Sequence, residues 1–295
     1  MRRLMARKRD GGALASDGRP IVGEIGPANL LLYLERMRRT FSNWPAVFAR
    51  LALASLGLKR GDIATRDRSG SVLRSPATRS SWWPIYEMLA EDLYRLGALA
   101  GPELAAGEVI VDVGAHLGAS ALALSKRFPA ARLLCAEPNP VAFSYLKWNV
   151  SSNRLQAELL NVAVGASAGR VTLYGSDDAS CEASTTFERP GRRLEVEMVP
   201  FARLVAEAPG PVRVVKLDCE GAEHEIVASS PAATWDDVSL VLLEYHSRAD
   251  EAAPLESLER RLDALGFECF WQVAFHWRPG LGMAGFRRRS DQSLR

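Results

Sequence analysis

The sequence has no C-x-x-C pair among its four cysteines, at 135, 181, 219 and 269. That excludes a zinc knuckle or a dithiol redox site. Cys135 and Cys219 lie in or beside apolar runs and read as small buried residues of a protein kept in a reducing cytoplasm. Net charge is also scarce, +2 from 37 basic and 35 acidic residues, so the total does not point to nucleic acid as a partner. No apolar run approaches the length that spans a bilayer, and no signal-peptide stretch follows the basic N-terminus. Neither membrane association nor secretion is expected. Internal repeats and low-complexity segments are absent as well.

What remains is an ordinary globular composition: 295 residues, 47% hydrophobic and 24% charged, enough for a sizeable core. Residues 1–25 are rich in Arg, Gly and Asp without periodicity and read as a disordered basic leader. Residues 26–106 read as a mostly helical extension. Leu30, Leu34, Phe41, Phe48, Leu51 and Leu56 recur at helical spacing, and Pro45 divides them into two helices, the second capped by Ser42 or Asn43. Residues 61–80 are turn-rich and fit a small hairpin. Trp82–Leu96 is predicted as one amphipathic helix with Pro84 in its first turn, placed to cover part of a ligand crevice.

From 107 onward strands alternate with helices. Strands are expected at Val109–Val113, Arg132–Ala136, Leu159–Val164, Val212–Leu217, Leu240–Leu243 and Phe267–Val273, with added β structure over 170–199. Helices fall at Leu117–Phe128, Pro140–Asn153, Ala222–Ala228 and Leu255–Leu265. Apolar strands alternating with amphipathic helices predict a parallel α/β sheet covered on both faces.

Four motifs place polar groups at strand ends. Val109-Ile-Val-Asp-Val-Gly-Ala-His-Leu-Gly118 puts Asp112 at the end of a buried strand, before a turn in which Gly114 closes tightly and Gly118 admits close approach of a ligand or the sheet. Ligands of open α/β sheets bind at such ends. An acid there suits a cationic amino group, whereas a dinucleotide pyrophosphate prefers free N–H groups. His116 also replaces the middle glycine of G-x-G-x-x-G, which argues against a nicotinamide cofactor. Glu137, 25 residues on, ends the next strand, where a carboxylate accepts hydrogen bonds from ribose hydroxyls. Val214-Val-Lys-Leu-Asp-Cys-Glu-Gly-Ala-Glu223 gathers three acids and Lys216, with Glu223 also readable as an acid favoured by a helix dipole. Leu240-Val-Leu-Leu-Glu-Tyr-His246 adds Glu244 and a histidine that titrates near neutrality.

Residues 107–247 resemble the FkbM-type methyltransferases. The resemblance is carried by Val-Asp-Val-Gly-Ala-His-Leu-Gly (111–118), Ala-Glu-Pro-Asn-Pro (136–140), Asn161-Val-Ala-Val-Gly165 and Val-Lys-Leu-Asp-Cys-Glu-Gly-Ala-Glu (215–223), in the family's order. One departure is His116, where the family commonly has Asn. The resemblance implies a Rossmann-like class I methyltransferase fold: a mostly parallel seven-stranded sheet with helices on both faces, over 107–295. It implies S-adenosylmethionine as donor and a small-molecule hydroxyl, on a natural product or sugar, as acceptor. Asp112, Gly114 and Gly118, with His116, would cradle the methionine part. Glu137 and the adjoining Pro138 would hold the ribose, and Asn161, Ala163 and Val164 would lie beside the adenine. The loop 176–186, with Ser176, Asp177, Asp178, Ser180 and Ser184, falls where the family carries a polar segment.

A hydroxyl acceptor needs its proton removed, and Asp218, Glu220, Glu244 and His246 are the candidate bases. Lys216 balances their charge or binds an anionic substrate. Asp218 and Glu220 are hard oxygen ligands that suit a divalent ion, but no feature requires a metal. Other readings are an RNA or protein methyltransferase on the same fold, supported only by basic termini, and a cofactor-binding partner subunit without chemistry, which the acid cluster opposes.

Overall fold

The computed structural model describes residues 29–58, 61–99, 103–175, 179, 183–247, 254–275 and 280–289. Helices α1 (Leu30–Thr40) and α2 (Trp44–Ser55) come first, with Pro45 in the opening turn of α2. Asn43 is the N-cap residue of α2, but its side chain makes no capping hydrogen bond. Its amide donates to Ala64 O at 2.7 Å and accepts from Arg66 N–H at 2.8 Å, tying the helix pair to β1 (Asp62–Arg66). β1 pairs antiparallel with β2 (Val72–Pro76), forming the expected hairpin.

The single helix expected over 82–96 needs correction. Helix α3 (Arg79–Tyr86) starts earlier, because Thr78 Oγ1 accepts from Ser81 N–H at 3.2 Å, and Pro84 therefore stands inside it. Proline cannot donate to the carbonyl four residues back. A π-helical turn, Glu87–Glu91, follows and ends at Asp92 in the left-handed region (φ 50°). Leu93 and Leu96 lie beyond it in turns. The Asp92 carboxylate accepts from the N–H groups of Leu96 (2.7 Å) and Gly97 (2.8 Å), a fold-back that sets Tyr94 pointing inward.

The remaining elements are β3 (Val109–Val113), α4 (Ala119–Arg127), β4 (Arg132–Ala136), α5 (Pro140–Ser152), β5 (Ala157–Leu160), β6 (Ala163–Gly165), β7 (Gly169–Tyr174), β8 (Arg193–Pro200), α6 (Phe201–Ala206), β9 (Val212–Leu217), α7 (Glu223–Ser229), β10 (Leu240–His246), α8 (Pro254–Ala264), β11 (Phe267–Ala274) and β12 (Leu281–Arg288). Seven strands form one sheet in the order β11-β12-β10-β9-β3-β4-β5, all parallel except β12. The order reverses between β3 and β9, the place where an open α/β sheet leaves a crevice. β6, β8 and β7 form a separate three-stranded sheet, the added β structure expected over 170–199.

Two strand expectations fail. The strand foreseen over Leu159–Val164 breaks at Asn161: β5 stays in the main sheet, while β6 pairs with β8. β12 was not foreseen. Its burial is nearly continuous, and Gly285 is required because a Cβ there would collide with the Trp271 ring.

Side chains alternate between two cores. Val109, Val111 and Val113 pack with Phe201, Trp235 and Phe267 on one face. Ile110, Leu133, Val214 and Leu242 on the other face share a core with Tyr33, Phe41, Trp82 and Tyr86 of the N-terminal segment. Two asparagines, Asn149 in α5 and Asn153 at its C-cap, complete this docking. Asn153 exchanges hydrogen bonds with the Val72 backbone (2.9 and 2.7 Å), and Asn149 does so with Arg74 (2.7 and 3.0 Å).

Candidate active site

The crevice at the strand ends holds a cavity of about 640 Å³. Gly114 begins its floor. Its φ is +73°, and a Cβ there would collide with the Asp218 carbonyl oxygen, so the turn after β3 tolerates only glycine. Gly118 has a different role from the one expected. A Cβ there would meet Leu146 Cδ1 at 2.9 Å, so this glycine lets α4 pack against α5 and does not line the cavity.

Asp112 and Lys216 are also behind the floor. Both are buried, in register on β3 and β9, and paired at 3.1 Å. Asp112 Oδ2 also accepts from Ser120 Oγ at 2.6 Å. Lys216 Nζ donates to Gly114 O at 2.7 Å and lies 3.5 Å from Asp218. Burial opposes its charge, but Asp112 and Asp218 more than offset that and raise its pKa. Lys216 lies between Asp112 and Asp218, and its burial leaves it out of reach of an anionic substrate. Asp112 is committed to Lys216 and Ser120 rather than open to a ligand amine.

Glu137 ends β4 and lines the cavity while remaining 6% exposed. Its oxygens accept from His116 N–H and Asn139 N–H, both at 2.8 Å. Burial lifts its pKa to about 7 against the pull of those two donors. His116 takes a left-handed conformation (φ 49°), and its Nε2 lies 2.9 Å from Ala179 O. Pro138, Ala163 and Val164 line the same end, joined by Val162. Asn161 does not: exposed, it donates to Glu137 O (2.8 Å) and Pro138 O (3.2 Å) and buttresses the turn that carries them.

Asp218, Glu220 and Glu244 line the cavity from the ends of β9 and β10. Glu220 (φ 52°) is drawn aside by Arg189 at 3.2 Å. His246 lies behind the wall, buried, with Nδ1 3.0 Å from Glu223 and Nε2 3.5 Å from Glu220 and 3.7 Å from Glu244. Burial disfavours its charge, but Glu220 and Glu223 prevail and raise its pKa well above the usual histidine value. His246 does not line the cavity, so its ring stands behind the carboxyls that do. Burial and Asp218 push the Glu244 carboxyl well up, with His246 pulling the other way. Asp218, Glu244 and His246 bring ligand atoms within 4.8 Å of one another, close enough for an ion to bridge.

The N-terminal segment supplies residues that motif reading missed. Arg79, Trp83, Glu87 and Met88, from one face of α3 and its π-helical turn, line the cavity, as does Tyr94, whose hydroxyl donates to Asp218 Oδ2 at 3.4 Å. Their i, i+4 spacing was visible, but not which face met the crevice. Phe275 and Met283, in and beside the terminal strands, line it too. Ser176, Asp177, Asp178 and Ser180 lie outside the described residues. Ser184 is buried and shapes the wall, donating to Glu220 O at 2.8 Å and accepting from Thr186 and Phe187 N–H.

The sheet order, with a glycine turn after β3 at the place where it reverses, is that of the Rossmann-like class I methyltransferase fold. The family model for the methyltransferase FkbM domain matches residues 112–269, and the chain belongs to that family. Among curated relatives, methyltransferase 1 of Beauveria bassiana is 26% identical over 182 residues, 54% of this chain and 73% of that protein. The 31-O-demethyl-FK506 methyltransferase FkbM of Streptomyces tacrolimicus is 25% identical, over 50% of this chain and 68% of its own. Among solved structures, Aeropyrum pernix fibrillarin with bound S-adenosyl-L-methionine aligns at 12% identity and TM-score 0.42, over 77% of this chain and 94% of that one. No described helix is long and apolar enough to cross a membrane.

Proposed function

We propose that the protein O-methylates a hydroxyl group of a small molecule, a natural product or sugar, in the cytoplasm. One observation carries this reading: the cavity has two chemically distinct ends. Pro138, Val162, Ala163 and Val164 line it beside the Glu137 carboxyl, while Asp218, bonded to Tyr94, and Glu244 line it from the ends of β9 and β10. A cavity of about 640 Å³ is in the range that holds small ligands. The first end fits the donor. Each Glu137 oxygen takes one backbone N–H and keeps a lone pair for a ribose hydroxyl, and the apolar residues beside it suit a flat, apolar-faced adenine.

When bound, S-adenosylmethionine supplies a methyl group on a cationic sulfur. The chain's own residues position the acceptor and take its proton. Asp218, held by Lys216 and Tyr94, orients the hydroxyl. Glu244, whose affinity for protons is raised, receives the proton as the new bond forms. Residues 26–106 act as a cap on the domain beginning near 107 and shape the acceptor end. The small-molecule assignment draws on the name of the Streptomyces tacrolimicus relative.

The test is mass spectrometry of candidate hydroxylated metabolites incubated with the protein and methyl-labelled cofactor, alongside calorimetry. Label is expected on an oxygen of one acceptor, with S-adenosylmethionine bound and NAD ignored. Protein that bound NAD and not S-adenosylmethionine would overturn the reading.

A further inference from the structure

Arg79 and Ser80 open helix α3 and line the cavity, well outside residues 112–269 that carry the family match. Contacts fix where they stand. Ser81 Oγ donates to Ala179 O at 2.8 Å, and His116 Nε2 lies 2.9 Å from the same oxygen. His116 N–H in turn donates to Glu137 at 2.8 Å. The start of α3 is thereby held against the turn after β3, beside the carboxyl that fits the ribose. Val162, Ala163 and Val164 follow β5, which flanks β4 on the side away from β3. A nucleoside with its ribose at Glu137 and its base toward Ala163 therefore directs its 5′ substituent toward the turn after β3 and the start of α3.

Among the described residues, five carboxyl groups line the cavity, those of Glu87, Glu137, Asp218, Glu220 and Glu244, and one guanidinium does, that of Arg79. No described acid pairs with Arg79. Its guanidinium lies over the Trp83 ring, 5.2 Å from the centroid, and Trp83 is itself stacked on the buried Tyr33. Stacking on an anchored ring orients a guanidinium and leaves its N–H edge for a planar anion. The 5′ substituent of S-adenosylmethionine ends in an ammonium and a carboxylate. The cavity acids suit the first group, and Arg79 suits the second.

We propose that Arg79 binds the carboxylate of the cofactor's methionine part, so that the segment before the sheet completes the donor site. The inference rests on the reading of S-adenosylmethionine as donor, with its ribose at Glu137. The experiment is calorimetry on the full chain with two probes, S-adenosylmethionine and its decarboxylated form, which differ by the carboxylate. The variant is Arg79→Met, which keeps an unbranched apolar chain over Trp83 and removes the charge. Arg79 is exposed, so the variant is expected to melt at the wild-type temperature. Wild-type protein should bind S-adenosylmethionine about tenfold more tightly than the decarboxylated form, the scale of one charge-assisted contact near solvent. Arg79→Met should lose that preference by weakening S-adenosylmethionine alone, and Arg79→Lys should keep part of it. Added salt should narrow the wild-type preference. Equal wild-type affinity for the two probes, equal weakening of both in Arg79→Met, or a preference that survives in that variant would overturn the proposal. Failure of the underlying reading shows separately, as wild-type protein that binds neither probe.

Discussion

Asp112 and Lys216 occupy paired positions on adjacent parallel strands and form an ion pair of 3.1 Å with almost no solvent access. The ammonium reaches past its partner to the Gly114 carbonyl, so the same pair braces the turn that floors the cavity. Lys216→Met removes the cation and leaves a buried carboxylate uncompensated. A loss of about 3–5 kcal/mol is expected in urea denaturation, since breaking one half of a buried pair carries that cost. The double variant Asp112→Leu, Lys216→Met should recover part of it; equal losses in single and double variants would refute this account.

Glu137 links stability to pH. Its pKa of about 7 in the folded state stands above the ordinary 4.5. Between these values the folded protein keeps a proton that the unfolded chain has lost. Stability is therefore fully present below pH 4.5 and falls as pH rises toward 7, by about 3 kcal/mol for this group alone. Melting of the ligand-free protein should show this decline, and Glu137→Gln should flatten it. A decline of the same size in the amide variant would assign it to other groups.

The same residue gives a binding prediction. Glu137→Ala should weaken S-adenosylmethionine binding by about 1–3 kcal/mol, the cost of leaving hydroxyl groups without a charged partner. Calorimetry at one fixed pH measures it directly, and unchanged affinity would move the ribose elsewhere in the cavity.

Among the acids, the proton acceptor is set apart by its environment. Glu244→Gln should lower single-turnover rates by roughly 10²–10⁴-fold with cofactor affinity nearly intact, and Asp218→Asn should raise the acceptor KM as well. Glu220→Gln should act more weakly, because Arg189 already draws that carboxylate aside. In the wild type the rate falls as pH drops, because a base raised in pKa must lose its proton before it can accept another. If Glu220→Gln were the most damaged variant, the roles of the two glutamates would be exchanged.

The N-terminal segment is expected to govern the acceptor. Tyr94→Phe should raise the acceptor KM and leave cofactor binding alone, since the Tyr94 hydroxyl donates to Asp218 in the cavity. Removing residues 1–100 should do more than abolish turnover. Ile110, Leu133 and Val214 share their core with Tyr33, Phe41 and Trp82, so the truncated chain exposes one face of its sheet. Cooperative melting of the truncated chain at the full-length temperature would contradict that shared core.

The sequence by itself determined the parallel sheet and four of the five described carboxyl groups that line the cavity, Glu137, Asp218, Glu220 and Glu244 but not Glu87. Strand composition and glycine turns are local, and Asp218, Glu244 and Glu137 follow directly from strand ends. Only the tertiary structure decided which charges meet the cavity and which are spent behind it. Asp112 and Lys216 look equally functional in sequence, yet their register on β3 and β9 pairs them with each other. Asn161 and Gly118 sit in site motifs but serve a turn and a helix contact. β12 has no alternation to read, because burial on both faces and two glycines fitted to Tyr245 and Trp271 replace it. Tyr94 reaches Asp218 across 124 residues, through a fold-back that no periodicity encodes. His246 meets Glu220 and Glu223 only because the folded chain brings the turn after β9 and the start of α7 to the end of β10.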